Sequence, residues 1–527
     1  MVHLAWGFDY ALKRPHPLPS LLAKLDNGPV THSGEVNGAA MGTDESGRTE
    51  SCDVCIVGAG LAGMNALFVA SRYLNGNNRV ILVDRRARVG GMWVDTYPYV
   101  RLHQPHGMFT AGNIAWTLGR DRGYLATKDE VLDQFEHCLD VIRQRIRVDE
   151  FFGWTMDSQE DAGGVVRVSC ASADGRRMVI TARRLITAAG FSVSPNDSLK
   201  VSSSRVRSVS PDTCDVRGGE MRAGDDPVWV IGGGKTAMDT AHTLITEYPG
   251  REVNLVAGCG TFFASRDKCF PTGIRRWYGG TPISRLGAKM TGRFDGTNEA
   301  DTRAWLRSTY GTWLTPTTGN FLLGVLSDSE NKTIAAGLNK VVMDYLVDVV
   351  DRGNVTELTL RSGEVRTIQP GSWIVNCTGY LVRDEAPYEP YVSAGGSVLS
   401  IQTRSATMHL SSYMGYFLSH LLFLGKLSEI PLYELDMQEL RAKSSAALPL
   451  AMFSLAGYNL SLIFDSIGSK AFVECGIDFD RWYPAPRRLV ETARFLLTHR
   501  RAREQQRRAL DAMRERFGVR CGPLAPV

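Results

Sequence analysis

Between residues 51 and 84 the apolar positions change period twice. Cys52–Val57 is a short apolar run rich in β-branched residues, a group of glycines interrupts it, and Leu67–Leu74 then recurs at helical spacing. A polar turn at Asn75–Asn78 leads into a second apolar run, Arg79–Val83, closed by Asp84. Strand, glycine turn, helix and strand in that order predict a βαβ unit. The pattern recurs further on, with strand Val228–Ile231, a second glycine turn, a helix to about Glu247 and strand Val253–Ala257. Between the two units, residues 128–148 place Val131, Phe135, Leu139 and Ile142 on one helical face. Short strands are predicted around Val165–Ser169 and Met178–Ile180, then Arg184–Ala188 runs into Gly190, and a serine-rich link covers 194–210. Residues 259–340 show few clean periods. Strands return at Thr356–Leu360 and Ser372–Asn376, and beyond about 405 the chain reads as mostly helical.

These elements predict an α/β fold with two Rossmann-like dinucleotide-binding domains, the second inserted in the first, plus a helical C-terminal region. The expected boundaries are an extension over 1–50, the first domain over 51–200 and again 371–445, the second domain with an irregular insertion over 201–370, and the helical region over 446–527. Two stretches, Tyr413–Leu424 and Ala446–Phe464, are strongly apolar. The first is short of the roughly 20 residues that span a bilayer, and Pro449, Gly457 and Asn459 interrupt the second, so a buried helix pair is expected.

The glycine turns carry the first chemical signal. Gly58-x-Gly60-x-x-Gly63 sits between a predicted strand and a helix, and Asp84 ends the next strand 21 positions beyond Gly63. In that context Gly58 permits the tight turn, Gly60 lets backbone N–H groups approach a pyrophosphate, and Gly63 lets helix and strand pack closely. Asp84, with Arg85 beside it, would meet the adenosine ribose. The second turn, Gly232-Gly233-Gly234-Lys235-Thr236-Ala237, has the same spacing with the accepted alanine variant. No acidic residue ends the strand Val253–Ala257, so the carboxylate that selects NAD is missing. NADPH is therefore expected, with Gly232, Gly234, Lys235 and Thr236 at its phosphates and Arg266 or Lys268 supplying charge from the next loop.

Just past Asp84 comes Arg88-Val-Gly90-Gly91-Met92-Trp93, followed by Tyr97-Pro98-Tyr99-Val100-Arg101-Leu102-His103-Gln104-Pro105. These segments resemble the GGxW and YPxxRxxxP blocks of flavin-dependent monooxygenases of the two-dinucleotide type, a family that includes flavin-containing, Baeyer–Villiger and N-hydroxylating enzymes. Thr187-Ala188-Ala189-Gly190 and Cys377-Thr378-Gly379-Tyr380 stand where that family carries its "ATG" crossovers. The resemblance covers roughly residues 51–430, most firmly at these blocks. It implies FAD at the first loop, with Gly91, Met92 and Trp93 along the flavin and Ala189, Gly190, Thr378 and Gly379 at the crossovers. It also implies the reaction: NADPH reduces the flavin, and O2 then gives a C4a-(hydro)peroxyflavin that transfers one oxygen atom to a small or medium organic substrate. His103 and Gln104 occupy the stretch where family members place a polar group at the reactive flavin edge, so one of them is a candidate catalytic partner; a structural hydrogen-bonding role is the alternative. Two departures narrow the reading. The expected arginine after the Val253–Ala257 strand is replaced by Ala257-Gly258, and the linker Ser202–Ser210 lacks the Phe-x-Gly-x-x-x-His block of Baeyer–Villiger enzymes. An FAD-containing NAD(P)H reductase or oxidase without oxygen insertion, and a flavin-binding regulatory or membrane-associated protein, remain as alternatives.

Composition changes little in this picture. The net charge of +4, from 60 basic and 56 acidic residues, is too even for nucleic-acid binding by the chain as a whole. Ten unevenly spaced cysteines suit a reducing, cytoplasmic compartment, and the first residues lack the layout of a signal peptide. Cys52-Asp-Val-Cys55 lies on a predicted strand and reads as buried thiols rather than a redox pair. No metal-spaced His/Cys cluster is present. The arginine-dense segment 487–520, with helical spacing at Leu489, Phe495, Leu496 and Leu510, is expected to dock on the body with a solvated basic face; a membrane contact is the less favoured reading.

Overall fold

The computed structural model describes residues 47–190, 196–215, 219–321, 323–379 and 385–524. The extension over 1–46 and Tyr380 lie outside them. The first sheet has parallel strands in the order Arg147–Phe152, Arg79–Asp84, Arg48–Val57 and Arg177–Ala188. The far side of Arg177–Ala188 is shared. Its first half pairs with an antiparallel meander, Val166–Ser172 and Trp154–Asp161, and its second half with the parallel strand Val398–Ile401. Central strands covered on both faces must be apolar throughout, and Cys55–Ile56, Val80–Val83 and Leu185–Ile186 are. The register sets the strand ends level: Val57 stands opposite both Val83 and Thr187. Gly58, Asp84 and Ala188 thus emerge side by side on one edge.

The second sheet repeats the plan, with parallel strands Leu338–Val342, Val253–Val256, Val228–Ile231, Trp373–Asn376 and Arg207–Val209 in that order. It too carries a three-stranded antiparallel meander, Leu346–Arg352, Val355–Leu360 and Val365–Ile368. The second domain is therefore inserted between Ala188 and Val398 of the first. Trp373–Asn376 is a central strand of the second sheet, so the return crossover follows it instead of starting at 371. The serine-rich link has a structural use: Ser202 and Ser203 donate hydroxyl hydrogen bonds to Asp348 and Asp351 at 2.6 and 2.7 Å, pinning it to the meander.

Residues 259–340 are more regular than their sequence suggests. Helices Ile283–Thr291, Glu299–Tyr310 and Asp328–Gly337 lie in this excursion between strands Val253–Val256 and Leu338–Val342 of the second sheet. They are short, so no period runs long enough to read; the first two close against the C-terminal region, and Asp328–Gly337 packs on helix Lys235–Glu247. The Trp482 indole donates to the Pro271 carbonyl at 2.8 Å and the Tyr483 hydroxyl to the Cys269 carbonyl at 2.6 Å.

Both apolar stretches are buried helices, Ser411–Phe423 and Leu448–Ile467, but their main partners differ from the expected pairing. The first packs on the helix after the first glycine turn, with Tyr416 stacked near Phe68 at 6.3 Å; the second packs against the C-terminal helix Ala485–Phe517. A helix apolar all round declares burial without naming its neighbour.

Candidate functional site

The first glycine turn is a steric necessity. Gly58 has φ 107°, and a Cβ there would collide with the Ala188 carbonyl oxygen; a Cβ at Gly63 would collide with the Gly58 carbonyl oxygen. Gly60 is the N-cap of helix Leu61–Tyr73, with no side-chain cap and no acidic residue in the first turn. Helices Lys128–Arg143 and Asp328–Gly337, by contrast, are closed by capping boxes from Thr127 and Ser327. The helix at Gly60 thus leaves its first N–H groups and its positive dipole end available to an anion.

Gly91 (φ 55°) lies across this turn. A Cβ on Gly91 would stand 2.6 Å from the Gly60 Cα, and one on Gly60 would stand 3.4 Å from the Gly91 Cα. Two glycine loops 31 residues apart therefore touch backbone to backbone. Met92 and Trp93 open the short helix Met92–Asp95 from Gly91, and the Trp93 ring meets Phe109 edge-on at 5.5 Å. Asp84 is 5% exposed. One of its carboxylate oxygens accepts the Ala59 N–H at 2.6 Å and the other the Arg86 N–H at 2.8 Å. It braces the loop. Arg85 is exposed, while Arg86 pairs with Asp95 at 2.6 Å, a link the sequence did not announce.

At the second turn a Cβ on Gly232 (φ 132°) would lie 2.5 Å from the Cys377 carbonyl oxygen, and one on Gly233 equally close to that of Ala257. Gly234 differs: nothing lies within 4 Å of its Cβ direction. It caps helix Lys235–Glu247, again without a side-chain cap or an acidic first turn. Both turns fit a dinucleotide, each offering a close backbone approach and an unneutralised helix end.

Residues 52–278 match the family described as pyridine nucleotide-disulphide oxidoreductase. The two parallel sheets, one inserted in the other and each with its glycine turn, make up the α/β fold with two dinucleotide-binding domains expected from the sequence. Among solved structures, cyclohexanone monooxygenase aligns over 80% of this chain and 99% of its own (12% identity, TM-score 0.48). An ornithine N-hydroxylase from Kutzneria sp. 744 aligns over 72% and 98% (16%, 0.47). A bacillithiol disulfide reductase from Bacillus cereus aligns over 72% and 100% (14%, 0.40). An uncharacterized protein of Mycobacterium tuberculosis is 29% identical over 219 residues, which are 38% of this chain and 37% of that protein. The chain thus spans little more than a third of the curated relatives it matches.

The segment after Trp93 joins the two nucleotide turns. The Tyr97 hydroxyl donates to Asp239 at 2.8 Å, and the Tyr99 hydroxyl lies 2.8 Å from that of Thr240, both partners on the helix capped by Gly234. The His103 carbonyl accepts from Arg266 Nε at 2.8 Å, and Arg266 Nη1 pairs with Glu330 at 2.9 Å. Lys235, predicted at a phosphate, forms an ion pair with Asp239. Thr236 is buried behind it. Arg266 therefore belongs to the junction between the turns, together with Lys235; its Nη2 is buried without a partner among the described residues. Lys268 points elsewhere, toward the Gly311 carbonyl at 3.4 Å.

Burial, then the charges of Lys235 and Arg266, hold the His103 imidazole well below its ordinary pKa, with Glu330 opposing them. Burial alone would raise Glu330, but Arg266, the Ser327 N–H and Lys235 together bring it down to about 2. His103 is thus a neutral imidazole at working pH, a hydrogen-bonding group more than a carrier of a resident proton. Gln104 is partly buried and makes no side-chain hydrogen bond among the described residues. The His103 shift has a testable sign. The unfolded chain takes up a proton near the ordinary value of 6.5 and the folded chain does not, so folding loses stability as pH falls below it. Thermal midpoints of wild type and His103→Gln, compared from about pH 8 to about pH 5, are expected to show the steeper acid loss in wild type.

The crossovers lie at the sheet edges. Ala189 is exposed and Gly190 turns at φ 61°; Thr378 and Gly379 (φ 60°) are exposed, with the Thr378 hydroxyl donating to Asn376 at 2.7 Å. At the end of Val253–Val256, Gly258 faces the Tyr345 ring, and the Arg361 guanidinium lies over that ring at 4.0 Å. Arg361 brings positive charge to the strand end where sequence reasoning found none. It comes from the meander, about a hundred residues away, so no local spacing could have shown it.

All ten cysteines are free. Burial pushes Cys52 and Cys377 up to about 12 and Cys55 well above its ordinary value. No group of three or more His, Cys, Asp or Glu among the described residues is placed to hold a metal.

Proposed function

We propose that this chain is an FAD- and NADPH-dependent monooxygenase that inserts one oxygen atom from O2 into a small or medium organic substrate in the cytoplasm. The observation that carries this is the Tyr97–His103 segment: it leaves the loop assigned to the flavin and is bonded to the helix and the arginine of the nicotinamide turn. Bound FAD supplies the two-electron chemistry between the nicotinamide and oxygen. The chain's own residues do the rest. Gly60, Gly91 and Gly234 bring backbone donors to the phosphates. Tyr97, Tyr99 and Arg266 hold the two domains in register, and His103 offers a neutral imidazole in a site partly closed to water. A thiol relay is poorly supported, because the reactive species is the thiolate and burial keeps Cys52, Cys55 and Cys377 protonated. The linker Ser202–Ser210 lacks the Phe-x-Gly-x-x-x-His block, which leaves N-, S- or C-oxygenation better supported than ketone oxidation.

The test begins with protein purified with its flavin, reduced by NADPH without oxygen and then exposed to oxygen. A delay between oxygen uptake and peroxide release is expected. Immediate stoichiometric peroxide would make the chain an NADPH oxidase, and protein that never retains FAD would overturn both readings. The cofactor preference has its own test. Arg361→Ala is expected to weaken NADPH by at least about tenfold while leaving NADH within about twofold, the effect of removing one charge-assisted contact worth roughly 1.5–3 kcal/mol. Equal effects on both nucleotides would remove Arg361 from the 2′-phosphate.

A further inference from the structure

The C-terminal helix Ala485–Phe517 docks through Phe495, His499, Leu510 and Met513. It carries a second apolar stripe that docks on nothing among the described residues. Leu489, Val490, Ala493, Leu496 and Leu497 recur at i, i+1, i+4, i+7 and i+8, the period that normally marks a face turned to a core. Here the face is open: Leu489 is 68% exposed and Leu497 85%.

A second exposed group adjoins the start of this helix. Arg487 Nη1 donates to the Arg276 carbonyl at 3.0 Å and Nη2 to the Gly280 carbonyl at 2.9 Å, fixing the 274–280 turn beside it. That turn exposes Ile274 by 74%, Trp277 by 59% and Tyr278 by 72%. Basic groups outnumber acidic ones around these side chains, although Asp465 pairs with Arg500 at 3.5 Å and with Arg503, and Asp121 lies near Arg276. Arg275, Arg488, Arg500 and Arg501 are exposed, and no acidic residue occurs from 268 to 294. The one carboxylate between 485 and 501, Glu491, is buried and paired with Arg494.

We propose that this face docks the protein on an anionic lipid bilayer, with Leu489, Leu497, Ile274 and Trp277 in the headgroup region and the arginines on lipid phosphates. A bilayer surface answers each feature: aliphatic side chains enter the acyl boundary, Trp and Tyr favour the interface, and arginines pair with anionic headgroups. A second copy of the chain would set arginine against arginine. The attachment is peripheral. Leu448–Ile467, the one helix among the described residues long and apolar enough to cross a membrane, is packed against the C-terminal helix and the insertion.

Full-length protein is to be co-sedimented with phosphatidylcholine vesicles, with and without phosphatidylglycerol. Binding is expected to the anionic vesicles, weakened by salt that shortens the Debye length. The double variant Leu489→Ser, Leu497→Ser is expected to bind at least about tenfold more weakly. Its unfolding midpoint and flavin content should match wild type, since both side chains lie in solvent. Sedimentation velocity is run alongside on both proteins without vesicles. Absence of binding, equal binding to neutral vesicles, or binding unchanged in the double variant would each overturn the proposal. A wild-type dimer that the double variant dissolves would instead assign the face to a second copy.

Discussion

Gly60→Val protein is expected to fold and to leave purification without flavin. The backbone at Gly60 (φ −80°, ψ −175°) is one any residue can adopt, so the substitution carries no conformational penalty of its own. The damage comes from what the side chain meets. A methyl group at Gly60 would sit 3.4 Å from the Gly91 Cα, already tight, and the branches of valine extend further. Gly91 sits in a turn at φ 55° and so close to Gly60 that a Cβ of its own would stand 2.6 Å from the Gly60 Cα, which leaves it little room to give way. The two loops must part, and overpacking of this kind costs about 1–3 kcal/mol. Parting them misplaces the N–H groups of both loops at once, so FAD affinity should fall at least about a hundredfold, equivalent to about 2.7 kcal/mol. The flavin absorbance per protein after gel filtration measures this. Full flavin content in a folded variant would remove the Gly60–Gly91 contact from the cofactor site.

The same substitution at the second turn is expected to act through a different route. Nothing lies within 4 Å of the Cβ direction at Gly234, and its φ of −86° suits valine. Gly234→Val should therefore match wild type in stability within about 0.5 kcal/mol and keep its flavin. The space it fills is the space a pyrophosphate needs at the helix end. NADPH binding is expected to weaken about a hundredfold, roughly 2.7 kcal/mol, read as the concentration dependence of anaerobic flavin reduction. Reduction at wild-type concentrations would mean that this loop does not hold the nicotinamide nucleotide.

Both turns were legible in the sequence because their constraint is local: the backbone collisions at Gly58, Gly63 and Gly232 exclude any other residue, and the flanking strands show as unbroken apolar runs. Asp84 was legible as a residue but only partly in its role. Its two backbone hydrogen bonds depend on how the loop closes around it, which no spacing records. The resemblance marked Gly91 as important; the contact with Gly60 explains why it must be glycine. Arg361 was hidden because a meander folds back across the sheet to deliver it. The outward stripe at Leu489–Leu497 was hidden for another reason. Periodicity identifies an apolar face, and only the fold shows whether anything covers it.

The insertion of one sheet within the other also constrains how the chain comes to be folded. Leu185–Ala188, in the middle of the first sheet, receives its second parallel neighbour only from Val398–Ile401. Those two strands are about 200 residues apart, and a ribosome adding about 5–20 residues per second needs on the order of ten to forty seconds to bridge them. Through that interval the half-built sheet presents an open, apolar edge to the crowded surroundings of the nascent chain. A chain released early, anywhere between the two strands, would keep that edge permanently. Premature termination should therefore yield aggregates even where the first nucleotide turn is complete.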